Sequence, residues 1–224
     1  MREAGIGNLK HVIFDMDGVI FDSERACLDC WQELAEKWEL EDIGTVFRRC
    51  IGTNKKQTCD IVESAYAQKH GPGIADRLMK ESSVMFHTRY DNGRLPVKPG
   101  AENLLEHLKN RGVKLGLASS TRRLSVENEL GSAGFLKYFD TLTCGDEVRV
   151  SKPDPEIYLL ACRAMNVDPR DACAIEDSFN GVRSAHEAGL HVIMVPDIIP
   201  ADDEMRSLAD IICADLYEVK RVFS

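Results

Sequence analysis

Nowhere does this sequence carry an apolar run near the roughly 18 residues that a membrane-spanning helix requires. Its first residues, Met1 to Asn8, contain no apolar stretch that would serve as a signal peptide. It also lacks an excess of positive charge. Lys and Arg number 28 against 37 Asp and Glu, a formal charge of −9, which argues against non-specific binding to nucleic acid or to an anionic membrane. The eight cysteines, at 27, 30, 50, 59, 144, 162, 173 and 213, form no compact framework and read as reduced thiols of a cytoplasmic protein. Several catalytic signatures are missing as well. There is no GxxxxGK[ST], GxSxG or HExxH, and Gly5-Ile6-Gly7 precedes a strand where a dinucleotide fingerprint would follow one. Asp15-Met16-Asp17-Gly18 is not a calcium loop, because Val19 and Ala26 stand at its fifth and twelfth positions. No internal repeat and no low-complexity segment is present.

What is present is a globular composition, 44% hydrophobic in 224 residues, long enough for one domain or one domain carrying an insertion. Lys10–Phe14 is a mostly apolar run that stops at a polar loop, the pattern of a buried strand. From Ser23 the period becomes helical. Cys27, Cys30, Trp31, Leu34, Ala35 and Trp38 share one face, with Ala26 off the pattern. Helices over about Lys56–Lys69 and Ile74–Tyr90 follow, separated by His70-Gly71-Pro72-Gly73, and no strand pattern occurs before Tyr90. Beyond Arg94 strands and helices alternate: a helix on Ala101, Leu104, Leu105 and Leu108 stopped by Gly112, a strand at Val113–Ala118, a polar helix from about Leu124 to Ala133, and a strand at Thr141–Cys144. Next come a helix through Ile157–Met165, a strand at Ala172–Ile175, a helix at Asn180–Ala188, and strands at His191–Val195 and Ile211–Cys213. Alternation of this kind predicts a Rossmann-like α/β core with a parallel sheet covered on both faces. The expected division is a core domain of residues 9–22 and 94–224 and an inserted α-helical cap domain of residues 23–93.

Three strands end in polar residues without structural need: Asp15 and Asp17, Ser119 and Ser120, Glu176 and Asp177. Ligands of open parallel sheets sit at the carboxyl ends of the strands, so four carboxylates and two hydroxyls would converge there. Unpaired, those carboxylates would repel one another, and a divalent cation is the simplest stabiliser. Hard oxygen donors suit Mg²⁺ better than Zn²⁺.

These residues also lie in stretches with a family likeness. FDMDGVIFDSE at Phe14–Glu24, LASST at Leu117–Thr121, SKPDP at Ser151–Pro155 and IEDSFNGVRSAHEAG at Ile175–Gly189 resemble, in order and spacing, the four motifs of the haloacid dehalogenase superfamily. The helical insertion resembles the small cap of its β-phosphoglucomutase and phosphatase branch. The resemblance implies Asp15 as the nucleophile forming an aspartyl-phosphate and Asp17 as the general acid and base. It implies Ser119, with Ser120 beside it, and Lys152 as phosphate-binding groups. Mg²⁺ would be held by Asp15, the Asp17 carbonyl, Glu176 and Asp177. The chemistry is consistent: a carboxylate attacking a phosphate dianion meets like-charge repulsion and needs cations and donors around the phosphoryl oxygens.

Other candidates have ordinary readings beside functional ones. Thr53, Asn54 and Lys55 sit where the resembled cap carries substrate-selecting residues, and Lys55 with Lys56 reads equally as a solvated pair. Arg122 reads as a substrate contact or as a solvated helix start. Cys27 and Cys30 read as buried helix thiols. Within the resembled superfamily, Asp17 two residues after the nucleophile disfavours carbon–halogen and carbon–phosphorus cleavage. Cys27 stands where mutases of that branch carry a cap histidine, and Lys55 where they carry an arginine. The expectation is therefore a monomeric Mg²⁺-dependent phosphatase of small phosphorylated metabolites, sugar phosphates foremost, with a sugar-phosphate mutase as the alternative.

Overall fold

A computed structural model describes residues 3–53 and 55–224. The chain runs through α1 (Glu3–Ile6), β1 (His11–Phe14) and four consecutive helices, α2 (Ser23–Trp38), α3 (Ile43–Cys50), α4 (Lys55–His70) and α5 (Ile74–Tyr90). It then alternates through α6 (Ala101–Asn110), β2 (Lys114–Ser119), α7 (Arg123–Ser132), β3 (Thr141–Cys144), α8 (Glu156–Met165), β4 (Cys173–Glu176) and α9 (Phe179–Glu187). The last elements are β5 (His191–Met194), α10 (Asp203–Leu208), β6 (Ile211–Ile212) and α11 (Leu216–Val222). Two compact units result, Met1–Asp22 with Val97–Ser224, and Ser23–Pro96.

In the first unit six strands form one sheet in the order β3-β2-β1-β4-β5-β6. Every pairing is parallel. The chain steps outward from β1 to β2 and β3, then crosses back to β4 on the other side. The order therefore reverses at β1, and a crevice opens between the carboxyl ends of β1 and β4, where ligands of such sheets bind. Central placement explains why Val12, Ile13 and Phe14 are all apolar and buried rather than alternating. Ile13, Ala118, Ala174 and Val192 from four neighbouring strands pack with Ile157, Tyr158, Ala161 and Val182 from α8 and α9. Each large apolar side chain buried in this way contributes about 1.5–3 kcal/mol. Gly116 lets α8 approach β2, since a Cβ there would stand 2.6 Å from the Met165 sulfur.

The second unit is all-helical, with α2 against α3 and α5, and α4 against α3 and α5. The Trp31 ring meets the Phe47 ring edge-on at 5.1 Å. Trp38 is less enclosed and carries the Arg77 guanidinium over its ring at 5.5 Å. The buried face of α2 is broader than periodicity suggests. Ala26 and Leu28, at 2% and 4% exposure, belong to it, while Cys27 is only partly covered. Helix α3 escapes the sequence pattern because it is short and carries Gly44 and the β-branched Thr45 and Val46. It starts from Asp42 in a left-handed conformation without a side-chain cap. Helices α10 and α11 are also invisible to periodicity, yet Asp202 and Asp215 cap them through their side chains. Among the described residues no helix is long and apolar enough to cross a membrane.

Candidate active site

Asp15 is the first residue beyond β1, and its backbone N–H donates to the Ile175 carbonyl of β4 at 3.0 Å. This one extra rung carries the side chain past the sheet edge while leaving it 6% exposed. The chain then turns tightly. The Ile20 N–H donates to the Met16 carbonyl at 2.9 Å, and the Gly18 N–H to the Phe21 carbonyl at 2.8 Å. Gly18 has φ +78°, and a Cβ on it would collide with the Asp177 carboxylate. Only glycine meets both demands. Gly181 on α9 meets the second demand alone, since a Cβ there would fall on the Glu176 carboxylate.

Lys152 reaches into this edge with its side chain 7% exposed. Its Nζ donates to Asp15 Oδ1 at 2.6 Å, to Glu176 Oε1 at 2.7 Å and to the Ala118 carbonyl at 2.9 Å. All three ammonium hydrogens are thereby used on three different strand ends. Glu176, fully buried, accepts in addition the Tyr158 hydroxyl at 2.8 Å on Oε1. Its Oε2 takes the Asp177 and Ser178 backbone N–H groups at 3.1 and 3.3 Å and the Ser178 hydroxyl at 3.2 Å. The expectation of unpaired carboxylates at this edge is corrected here: a buried lysine already joins two of them.

One oxygen from each of Asp15, Glu176 and Asp177 lies within 4.8 Å of the others, and all three residues are buried. Burial pushes the Asp15 carboxyl well above the usual carboxylate range. Lys152 opposes that shift, and the charges of Glu176 and Asp17 add to it. Lys152 is held cationic despite its burial by Asp15 and Glu176. Three carboxylates against one ammonium leave two formal negative charges among hard oxygen donors, which fits a divalent cation. Both Glu176 oxygens are already engaged by donors.

On the β2 side Ser119 is fully buried, and its Oγ accepts the Thr121 N–H at 3.1 Å. The hydroxyl hydrogen of Ser119 is left to donate. Thr121 Oγ1 donates to Asp17 Oδ2 at 2.8 Å, so the Asp17 carboxylate is held toward β2 and apart from the three clustered carboxylates. Ser120 is exposed, and its carbonyl lies against Gly145, where a Cβ would collide with it. Arg122 is exposed at the start of α7. The remaining candidates belong to the helical unit. Thr53 donates its hydroxyl to the Cys50 carbonyl at 2.8 Å and shares a 2.8 Å bond with Thr58 Oγ1. Lys55 is exposed at the first position of α4, and Asn54 lies outside the described residues. Lys56 pairs with Asp60 at 2.6 Å on the exposed face of α4, a solvated arrangement. All eight cysteines are free, and burial pushes the Cys27 thiol up to about 12.

Two site residues have no signal in the sequence, Tyr158 and Thr121. Tyr158 reads as one more apolar-face residue of α8. Thr121 follows two serines and gains meaning only from the loop that brings Asp17 beside it.

A doubly wound parallel sheet with carboxylates, a buried lysine and a serine at its switch point, and a helical insertion directly after the first strand, defines an enzyme architecture. Residues 12–195 match the haloacid dehalogenase-like hydrolases. The chain is 33% identical to a phosphorylated carbohydrates phosphatase of Thermotoga maritima over 186 residues, covering 83% of this chain and 84% of that protein. Among solved structures it resembles a Thermotoga maritima protein described, provisionally, as a beta-phosphoglucomutase. That likeness has 30% identity and a TM-score of 0.72, covering 96% of this chain and 98% of the other. It also resembles CbbY of Rhodobacter sphaeroides in complex with phosphate, at 25% identity and a TM-score of 0.71, covering 94% and 96%. The chain belongs to the haloacid dehalogenase-like hydrolase family.

Proposed function

We propose that this phosphoric monoester hydrolase is a Mg²⁺-dependent phosphatase of small phosphorylated metabolites, sugar phosphates foremost, working through a phosphorylated Asp15. The observation that carries the reading is the Asp15 carboxylate at the switch point, flanked by Lys152, Glu176 and Asp177 and faced from β2 by a serine with a spare hydroxyl hydrogen. Likeness to a carbohydrate phosphatase and to a phosphate complex supports the substrate class.

In the first half-reaction an Asp15 oxygen attacks phosphorus, and the bond to the leaving oxygen breaks as Asp17 gives that oxygen its proton. Ser119 holds a phosphoryl oxygen during the transfer, and Lys152 does so by giving up its bond to Asp15 as that carboxylate bonds to phosphorus. In the second, Asp17 takes a proton from water as the water oxygen attacks phosphorus, releasing phosphate and restoring the Asp15 carboxylate. Asp15, Glu176, Asp177 and the Asp17 carbonyl would hold Mg²⁺, which would supply positive charge against the repulsion between carboxylate and phosphate dianion. Specificity is assigned to Thr53, Asn54, Lys55 and Arg122. The eight free thiols fit a reducing, cytoplasmic compartment.

The test is a screen of hexose phosphates, glycerol 3-phosphate and nucleoside monophosphates for phosphate release, with Mg²⁺ and with excess chelator, for the wild type and Asp15→Asn. Release that requires Mg²⁺ and falls by about 10⁴-fold or more in the variant is expected, on the scale of losing a covalent nucleophile. Full activity in chelator, or near-wild-type activity of Asp15→Asn, overturns the reading.

A further inference from the structure

We propose that Thr121 is the positioning residue for the acid–base work of Asp17, a role that rests on the phosphatase reading above. The Thr121 hydroxyl donates to Asp17 Oδ2 at 2.8 Å, and its own backbone is fixed on both sides. Its N–H donates to Ser119 Oγ at 3.1 Å, and its carbonyl accepts the Gly145 N–H at 2.9 Å. Gly145 in turn presses on the Ser120 carbonyl so closely that no side chain fits between them. The hydroxyl is thus delivered by a turn with little freedom, unlike a threonine on an open loop. A threonine hydroxyl has one hydrogen to donate, and here it is spent on Oδ2. The transferable proton of Asp17 is therefore directed to the other oxygen, Oδ1.

Two consequences follow for the chemistry. Phosphate grip and proton delivery share one rigid turn, because the Ser119 oxygen that accepts from Thr121 is bonded to the hydrogen left for a phosphoryl oxygen. The proton also moves through a single oxygen in both half-reactions. Oδ1 gives it to the leaving oxygen as the ester bond breaks, and Oδ1 receives one from water as the phospho-Asp15 bond breaks. Without the threonine hydroxyl the Asp17 carboxylate can rotate, and the fraction of time Oδ1 faces the leaving oxygen falls. The attack by Asp15 is untouched.

This separates Thr121 from a structural residue. A basic alkoxide needs the proton as it leaves, while p-nitrophenolate leaves without one. The experiment measures kcat/KM, which reports phosphorylation of the enzyme, for Thr121→Val and Thr121→Ser on three substrates: the best alkyl phosphate from the screen, phenyl phosphate and p-nitrophenyl phosphate. For Thr121→Val the loss should be graded by leaving-group basicity, about 10- to 100-fold on the alkyl ester, intermediate on phenyl phosphate, and under about threefold on p-nitrophenyl phosphate. Thr121→Ser should recover most of it. Equal losses on all three substrates overturn the proposal in favour of a structural role. A loss on the alkyl ester with the two aryl esters affected alike overturns it in favour of a sugar contact. Failure of serine to rescue overturns it too. Circular dichroism identifies a misfolded valine variant, and Thr121→Ala then carries the same comparison. If the wild type hydrolyses none of the three, the phosphatase reading itself falls, and this proposal with it.

Discussion

Lys152 offers a quantitative test of how the site is held together without metal. Its ammonium, on a side chain only 7% exposed, sits 2.6 Å from Asp15 and 2.7 Å from Glu176. Replacing it by methionine keeps the volume and removes the charge, so two buried carboxylates lose their shared cation. Breaking a buried pair from one side costs about 3–5 kcal/mol, chiefly because the stranded charge cannot reach water. At about 2–4 °C per kcal/mol for a chain of this size, the melting temperature should drop by about 6–20 °C. The assay is thermal unfolding followed by circular dichroism in excess chelator. Neutralising the partners as well, in Lys152→Met/Asp15→Asn/Glu176→Gln, should recover most of the loss, because the cost lies in the stranded charges and not in missing bonds. Mg²⁺ should raise the melting temperature of Lys152→Met at least as much as that of the wild type, since it supplies the missing positive charge. A drop of less than about 2 °C in the single variant, or a triple variant no more stable than the single, would refute the reasoning.

Asp177→Ala should lose the stabilisation by Mg²⁺; a Mg²⁺ shift equal to the wild type would remove Asp177 from the metal site. Burial alone would raise the Asp140 carboxyl, but the Leu115 N–H at 2.8 Å and Lys109 at 3.0 Å outweigh it and hold it below its ordinary value. A lowered folded-state pKa contributes stability that is present above the unfolded value of about 3.9 and is lost as pH falls through the folded one, so Asp140→Asn should flatten the acid limb of a urea-midpoint profile below about pH 4. With β-glucose 1-phosphate and a trace of the bisphosphate, free phosphate should accumulate in step with dephosphorylated sugar; rapid formation of glucose 6-phosphate with little phosphate would instead make the protein a mutase.

Much of this architecture was legible because its signals are local. Val12–Phe14 ends abruptly at Asp15, and Ala174–Ile175 at Glu176, so strand ends and chemical residues could be read together. The helical period over Ile74–Tyr90 and the stop at Gly112 were equally plain. What escaped depends on partners distant in sequence. Helix α3 exists because Val46 and Phe47 bury against the other helices, which compensates for a glycine and an uncapped start. Ala26 lies off the periodic pattern because a small side chain counts little in it, yet it is fully covered once α2 packs. At the site, residue types that ionise announced themselves, and the groups that orient them did not. Nothing local in Tyr158 shows that its hydroxyl will meet Glu176, and nothing in Thr121 shows that Asp17 will stand beside it.

The central strand β1 comes from residues 11–14, yet its two neighbours arrive much later in the chain: Ile13 pairs with Gly116 on one side and with Ala174 on the other. During synthesis, therefore, β1 emerges first and waits with both edges open, while the contiguous helical segment Ser23–Pro96 has all its partners at hand. Non-local pairing of this kind is slow, and an unpaired apolar strand invites association with other chains. A ribosome stalled before Cys173 would hold a nascent chain in which the helical unit can be complete but β1 has only half its sheet. The nucleophile, one residue beyond that strand, has neither the Ile175 carbonyl that anchors it nor the acidic pair that crowds it. Asp15 is thus made well before the strand that completes its environment, so synthesis through β4, more than folding of any earlier segment, decides when this site forms.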